Sequence, residues 1–109
     1  MLRLVVRYRY EALVFPLPAS EVTLGSSSKA DLVVRFPGVS RLHARVGPEN
    51  GGLRIVDAGS KNGIARNGQR VLSASLAAGE EVLLGDATLA VQEAGEAEDL
   101  ALELAAPDP

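Results

Sequence analysis

From Leu2 to Tyr10 the side chains alternate, with Leu4, Val6, Tyr8 and Tyr10 on one face of an extended segment and Arg3, Val5, Arg7 and Arg9 on the other. That period of two predicts a half-buried β-strand. Further apolar runs follow at residues 12–17, 21–24, 31–34, 43–46, 53–56, 81–84 and 88–92. Each has strand length and none is long enough for an ordinary helix. Turn chemistry separates them, at Pro37-Gly38, Asn50-Gly51-Gly52, Asn62-Gly63, Asn67-Gly68 and Gly85-Asp86. Short strands at this spacing predict an all-β sandwich or barrel. Pro16 and Pro18 have no N–H to give a ladder, which places their segment at a sheet edge or a strand end.

After about Ala94 the pattern gives way to Ala, Glu, Asp, Leu and Pro. Leu100, Leu102 and Leu104 fit a strand remnant or a weak helix before Pro107, but the composition favours a linker. The expected organisation is one domain over residues 1–93 and an acidic linker or tail over 94–109, a division that the length of 109 residues allows.

Composition narrows the functional classes. With two Tyr, two Phe and no Trp among 47% hydrophobic residues, the core must be aliphatic. A formal charge of -3 gives no overall attraction to nucleic acid, although a local basic patch would still hold one phosphate. The lack of cysteine removes disulfides, thiolate metal sites and a cysteine nucleophile together, and fits a reducing compartment. No run approaches the roughly 20 apolar residues that cross a bilayer, and the N-terminus does not read as a signal peptide. A soluble, cytoplasmic protein without a cofactor is expected. His43 is the single histidine, and no Gly-x-Ser-x-Gly accompanies it. No metal-ligand cluster or nucleotide cradle stands out either, so an enzyme is not expected.

Three polar clusters stand in order along the chain: Gly25-Ser26-Ser27-Ser28-Lys29-Ala30-Asp31, then Gly38-Val39-Ser40-Arg41-Leu42-His43, then Asp57-Ala58-Gly59-Ser60-Lys61-Asn62-Gly63, with Asn67-Gly68 just behind. Together they resemble the forkhead-associated family, whose pattern is a Gly-Arg opening, a Ser-x-x-His element and a Ser-x-Asn-Gly element followed by a second Asn-Gly. The resemblance spans about residues 2–93. It implies a two-sheet antiparallel β-sandwich with its termini close together and its recognition loops at the opposite apex.

It also implies a phosphopeptide-binding site. Ser40 matches the serine whose hydroxyl bonds the phosphate, and Arg41 the next position, often a phosphate or peptide contact; hydroxyl and guanidinium both suit an anion. Asn62 matches the asparagine that clamps the peptide backbone, and an amide offers both donor and acceptor for that task. Taken alone, Ser40 and Arg41 read more readily as a turn serine and a solvated arginine, while Asn62 also reads as a turn asparagine, a role compatible with the clamp. The family pattern makes His43 a structural imidazole that holds the loops, supported by Gly25 and Gly63. Asn67-Gly68 reads as a type I′ hairpin turn.

One position departs from the pattern. Ser26 stands where most members place a phosphate-binding arginine, and losing a charge-assisted bond costs about 1.5–3 kcal/mol, or roughly ten- to a hundredfold in affinity. Lys61, at a position often Thr or Ser beside the phosphate, or Lys29 in the first loop would restore positive charge. The functional expectation is a phosphothreonine-peptide-binding signalling module, as the N-terminal sensor of a larger bacterial regulator such as a transcriptional regulator. The alternative is a phosphate-independent module that docks an unmodified partner or another domain of its parent. Neither reading calls for nucleic acid or membrane as a partner.

Overall fold

The computed structural model describes residues 1–93; the stretch of Leu100, Leu102 and Leu104, and with it the expected tail, lies outside them. The described chain is built of strands: β1 (Leu2–Tyr8), β2 (Glu11–Pro16), β3 (Val22–Gly25), β4 (Leu32–Val33), β5 (Ala44–Glu49), β6 (Gly52–Asp57), β7 (Ile64–Arg66), β8 (Gln69–Val71), β9 (Ser73–Leu76), β10 (Glu81–Leu84) and β11 (Ala87–Glu93). They form a six-stranded sheet in the order β2-β1-β11-β10-β7-β8 and a five-stranded sheet in the order β4-β3-β5-β6-β9. All pairings are antiparallel except β3 with β4, which run parallel through Leu24↔Leu32 and Gly25↔Val33. This one departure from a purely antiparallel sandwich arises because the chain loops back over residues 26–31 before re-entering the same sheet edge. Among the described residues no helix is long and apolar enough to cross a membrane.

The alternation read from the sequence sets the sandwich interior. Leu4 and Val6 of β1, Val82 and Leu84 of β10, and Ala87, Leu89 and Val91 of β11 line the inner face of the first sheet. Leu24, Ala44, Val46, Leu53, Ile55, Ala74 and Leu76 line that of the second. The core is accordingly aliphatic, and interdigitation of two such faces is what excludes water from it. Pro16 ends β2, an edge strand whose outer side has no ladder to satisfy.

Differences from the sequence reading are local. Tyr10 leaves the predicted first strand, because the chain turns at Arg9, where φ is 52°, and Tyr10 is exposed. Strands β7, β8 and β9 lie where no apolar run was read, β7 and β8 on either side of the Asn67-Gly68 turn; these two are three residues long, too short to show a period.

Near the tip of β1, Tyr8 stacks on Phe36 with ring centroids 5.8 Å apart. This contact fastens the β4–β5 connection to the first sheet. The connections β3–β4, β4–β5 and β6–β7 converge there with the β10–β11 turn, whereas Leu2 pairs with Glu93 at the other end. The Met1 ammonium also meets the Glu93 carboxylate, at 2.8 Å.

Candidate functional site

The apex is assembled by backbone bonds before any side chain acts. Ser26 N–H donates to the Ser40 carbonyl at 2.9 Å and Ser27 N–H to the Arg41 carbonyl at 3.2 Å, which lays the β3–β4 loop against the β4–β5 loop. The approach is close enough that a Cβ on Gly25 would overlap the Arg41 carbonyl, so only glycine fits there.

His43, fully buried, ties these loops to the third. Its Nδ1 accepts from Ser40 N–H at 3.1 Å and its Nε2 donates to the Gly63 carbonyl at 2.8 Å. The partners decide the tautomer, since an amide N–H can only give and a carbonyl can only receive. The backbone of His43 adds bonds to the Leu24 carbonyl and from Ala58 N–H, at 2.9 and 3.0 Å.

The third loop is held by a serine bracket that the sequence reading did not single out as support. The Ser60 hydroxyl donates to Asp57 Oδ1 at 2.7 Å and accepts from Gly63 N–H at 2.8 Å, while Ser60 N–H donates to the same carboxylate at 3.0 Å. Burial works to raise the Asp57 pKa. The two Ser60 bonds, with Coulombic attraction from Arg70, outweigh it and hold the carboxyl below its usual value. Arg70, on β8, also backs the loop, and a Cβ on Gly63, where φ is 74°, would run into its guanidinium. The Asp-x-x-Ser spacing was the available signal, because a carboxylate three residues before a serine forms a turn bracket of this kind.

On this frame the predicted residues gather unequally. The Ser40 hydroxyl accepts from Lys61 N–H at 3.0 Å, which leaves its own proton to donate outward. Asn62 Nδ2 donates to the Gly38 carbonyl at 2.9 Å, so the amide keeps Oδ1 and one N–H for a ligand rather than its full complement. Ser26 lies beside Ser40. Arg41 instead shares with Thr23, Ser27, Lys29, Ala30 and Leu42 a depression of about 270 Å³. Asn67 and Gly68, with φ of 51° and 80°, form the turn of the β7–β8 hairpin, a strand's length away from Gly63. Their link to the site runs through Arg70 on the returning strand. Arg35, which the sequence reading passed over, donates from Nε to the Ser26 carbonyl at 3.2 Å. Among the described residues, Lys29, Arg35, Arg41 and Lys61 have no carboxylate partner. These four cations stand on the loops of the apex, where the Asp86 carboxylate of the β10–β11 turn also lies, close to Gly38.

The arrangement of open hydroxyl, amide and unpaired cations on a rigid frame suits an anion carried on an extended chain. Over 73 residues the chain is 38% identical to the ABC transporter ATP-binding/permease protein Rv1747 of Mycobacterium tuberculosis, a match covering 67% of this chain and 8% of that protein. It is also 38% identical over 71 residues to the glycogen accumulation regulator GarA of Mycolicibacterium smegmatis, covering 65% of this chain and 45% of that protein. The chain thus spans less than half the length of either relative. In structure it resembles the FHA domain of the CT664 protein from Chlamydia trachomatis, with a TM-score of 0.73, 26% identity, and 86% and 98% of the two chains covered. It shares its fold with Mycobacterium tuberculosis EmbR, solved in complex with a low-affinity phosphopeptide, at a TM-score of 0.69 and 24% identity over 85% of this chain and 25% of that one. The family model of the FHA domain matches residues 22–85, and the chain belongs to that forkhead-associated family of non-enzymatic interaction modules.

Proposed function

We propose that this domain binds a phosphothreonine-bearing segment of a partner protein across Ser40, Lys61 and Asn62. The observation that carries this reading is the Ser40 hydroxyl, which accepts from Lys61 N–H at 3.0 Å and keeps its own proton to donate, among cations that no described carboxylate pairs with. Asn62, fixed by the Gly38 carbonyl, presents its Oδ1 to a peptide N–H. The phosphopeptide bound by EmbR supports the ligand class, and buried His43 supports a role for the imidazole in holding the loops rather than in chemistry.

In this reading the domain is one module of a longer signalling protein. GarA, a regulator by its name, favours a regulatory parent, and the transporter relative widens the range of parents. The test is a binding screen with matched phosphothreonine, phosphoserine and unmodified peptide libraries. Selective retention of phosphothreonine peptides is expected. Equal retention of unmodified peptides would replace the proposal with the phosphate-independent module that Ser26 keeps open.

A further inference from the structure

We propose that Arg35 supplies the phosphate-binding guanidinium that position 26 lacks, delivered from the β4–β5 connection instead of the β3–β4 loop; this rests on the proposed phosphothreonine site. The backbone fixes where Arg35 stands. Val34 N–H donates to the Gly25 carbonyl at 2.8 Å, and Val34 and Phe36 on either side are buried, at 0% and 8% exposure. Phe36 is further pinned by its stack on Tyr8. Between two inward side chains, Arg35 must project outward.

Its direction is then set by the bond from Nε to the Ser26 carbonyl. Ser26 is also the residue whose N–H bonds the Ser40 carbonyl, so the Arg35 guanidinium and the Ser40 backbone meet the same residue, one at its carbonyl and the other at its N–H. The Nε bond spends the inner donor of the guanidinium and leaves both terminal nitrogens without a protein partner among the described residues. A planar pair of free N–H groups is the fork that grips a phosphate through two oxygens. A serine side chain at 26 is short enough to leave that space open. The rival cations are placed less well: Arg41 and Lys29 border the separate depression, and no hydrogen bond to the described residues directs the Lys61 ammonium.

The test uses the whole chain and capped phosphothreonine, N-acetyl-phosphothreonine N-methylamide, with capped threonine as control. Binding is followed by NMR titration, including the Arg Nε–H resonances. Arg35→Gln is expected to weaken the phosphorylated probe by roughly tenfold or more and to flatten the salt dependence, since the lost contact is ionic. Ser26→Arg added to Arg35→Gln is expected to restore binding, which a merely loop-holding role for Arg35 would not allow. Wild-type affinity in Arg35→Gln, with binding lost in Ser40→Ala, would overturn the role of Arg35 and keep the site. Equal binding of both probes by the wild-type chain would overturn the site itself, and Arg35 with it.

Discussion

Replacing His43 by alanine tests whether one buried imidazole sets the geometry of the apex. The substitution strips Ser40 N–H of its acceptor and the Gly63 carbonyl of its donor, which stand at 3.1 and 2.8 Å from the ring. A buried polar group left unpaired costs about 1–3 kcal/mol, and a cavity adds to that. The Ser40 amide is only part-buried, so water relieves some of its penalty, while the Gly63 carbonyl is buried, and a total of about 3 kcal/mol is expected. For a domain of this size that lowers the melting temperature by roughly 12–24 °C. Urea and thermal unfolding followed by circular dichroism measure it directly. His43→Asn is expected to recover part of the loss through an acceptor near Nδ1, and His43→Gln part through a donor near Nε2, whereas neither reproduces the whole. A loss below about 1 kcal/mol in His43→Ala would refute the reasoning, because it would mean that the two bonds are replaceable at no cost.

Gly25→Ala is expected to cost several times more than an ordinary surface change, of order 3 kcal/mol or above, as its Cβ overlaps a backbone carbonyl that cannot rotate away; soluble yield and urea midpoint report it. Asp57 has a folded pKa below its usual value, so its contribution to stability is full above the unfolded pKa, near 3.9, and is lost as pH falls through the folded value. Urea midpoints from pH 7 to pH 3 should therefore fall more steeply for the wild type than for Asp57→Asn, and parallel curves would count against the Ser60 bracket. Ser40→Ala should weaken a selected phosphothreonine peptide by about 1–3 kcal/mol in calorimetry while the fold persists, since the main structural bonds of residue 40 come from its backbone.

The sheets were legible where each strand spans several alternations. Leu4 and Val6, Val82 and Leu84, and Leu89 and Val91 announce their inner faces in the sequence and occupy them in the fold. Strand β9, Ser73–Leu76, was hidden because its pattern of serine with alanine and leucine carries little β preference; it becomes a strand through pairing with β6 from Leu53↔Leu76 to Val56↔Ser73. The parallel β3–β4 pair was equally hidden, since direction is a property of the loop path. At the site, the family resemblance carried by the three loop motifs brought Ser40, Lys61 and Asn62 into view. Arg35 was missed because its meaning depends on Gly25 and Ser26, about ten residues away, and nothing local marks an exposed arginine between Val34 and Phe36. Which half of the Asn62 amide is free was likewise decided by a carbonyl far along the chain, that of Gly38.

The pairing of Leu2 with Glu93 fixes how the domain bears mechanical load. Strands β1 and β11 are antiparallel neighbours whose outer ends meet at one pole, with Arg7↔Thr88 near the other. Tension that separates residue 2 from residue 93 peels the ladder open rung by rung, the weak direction for a sheet. In the proposed mode of binding, tension between either of those ends and a ligand at the apex runs along the strands instead, so many rungs resist together. A partner tugging on the recognition loops thus loads the sandwich lengthwise, where it is stiff, while a force across its two ends works as an unzipping release.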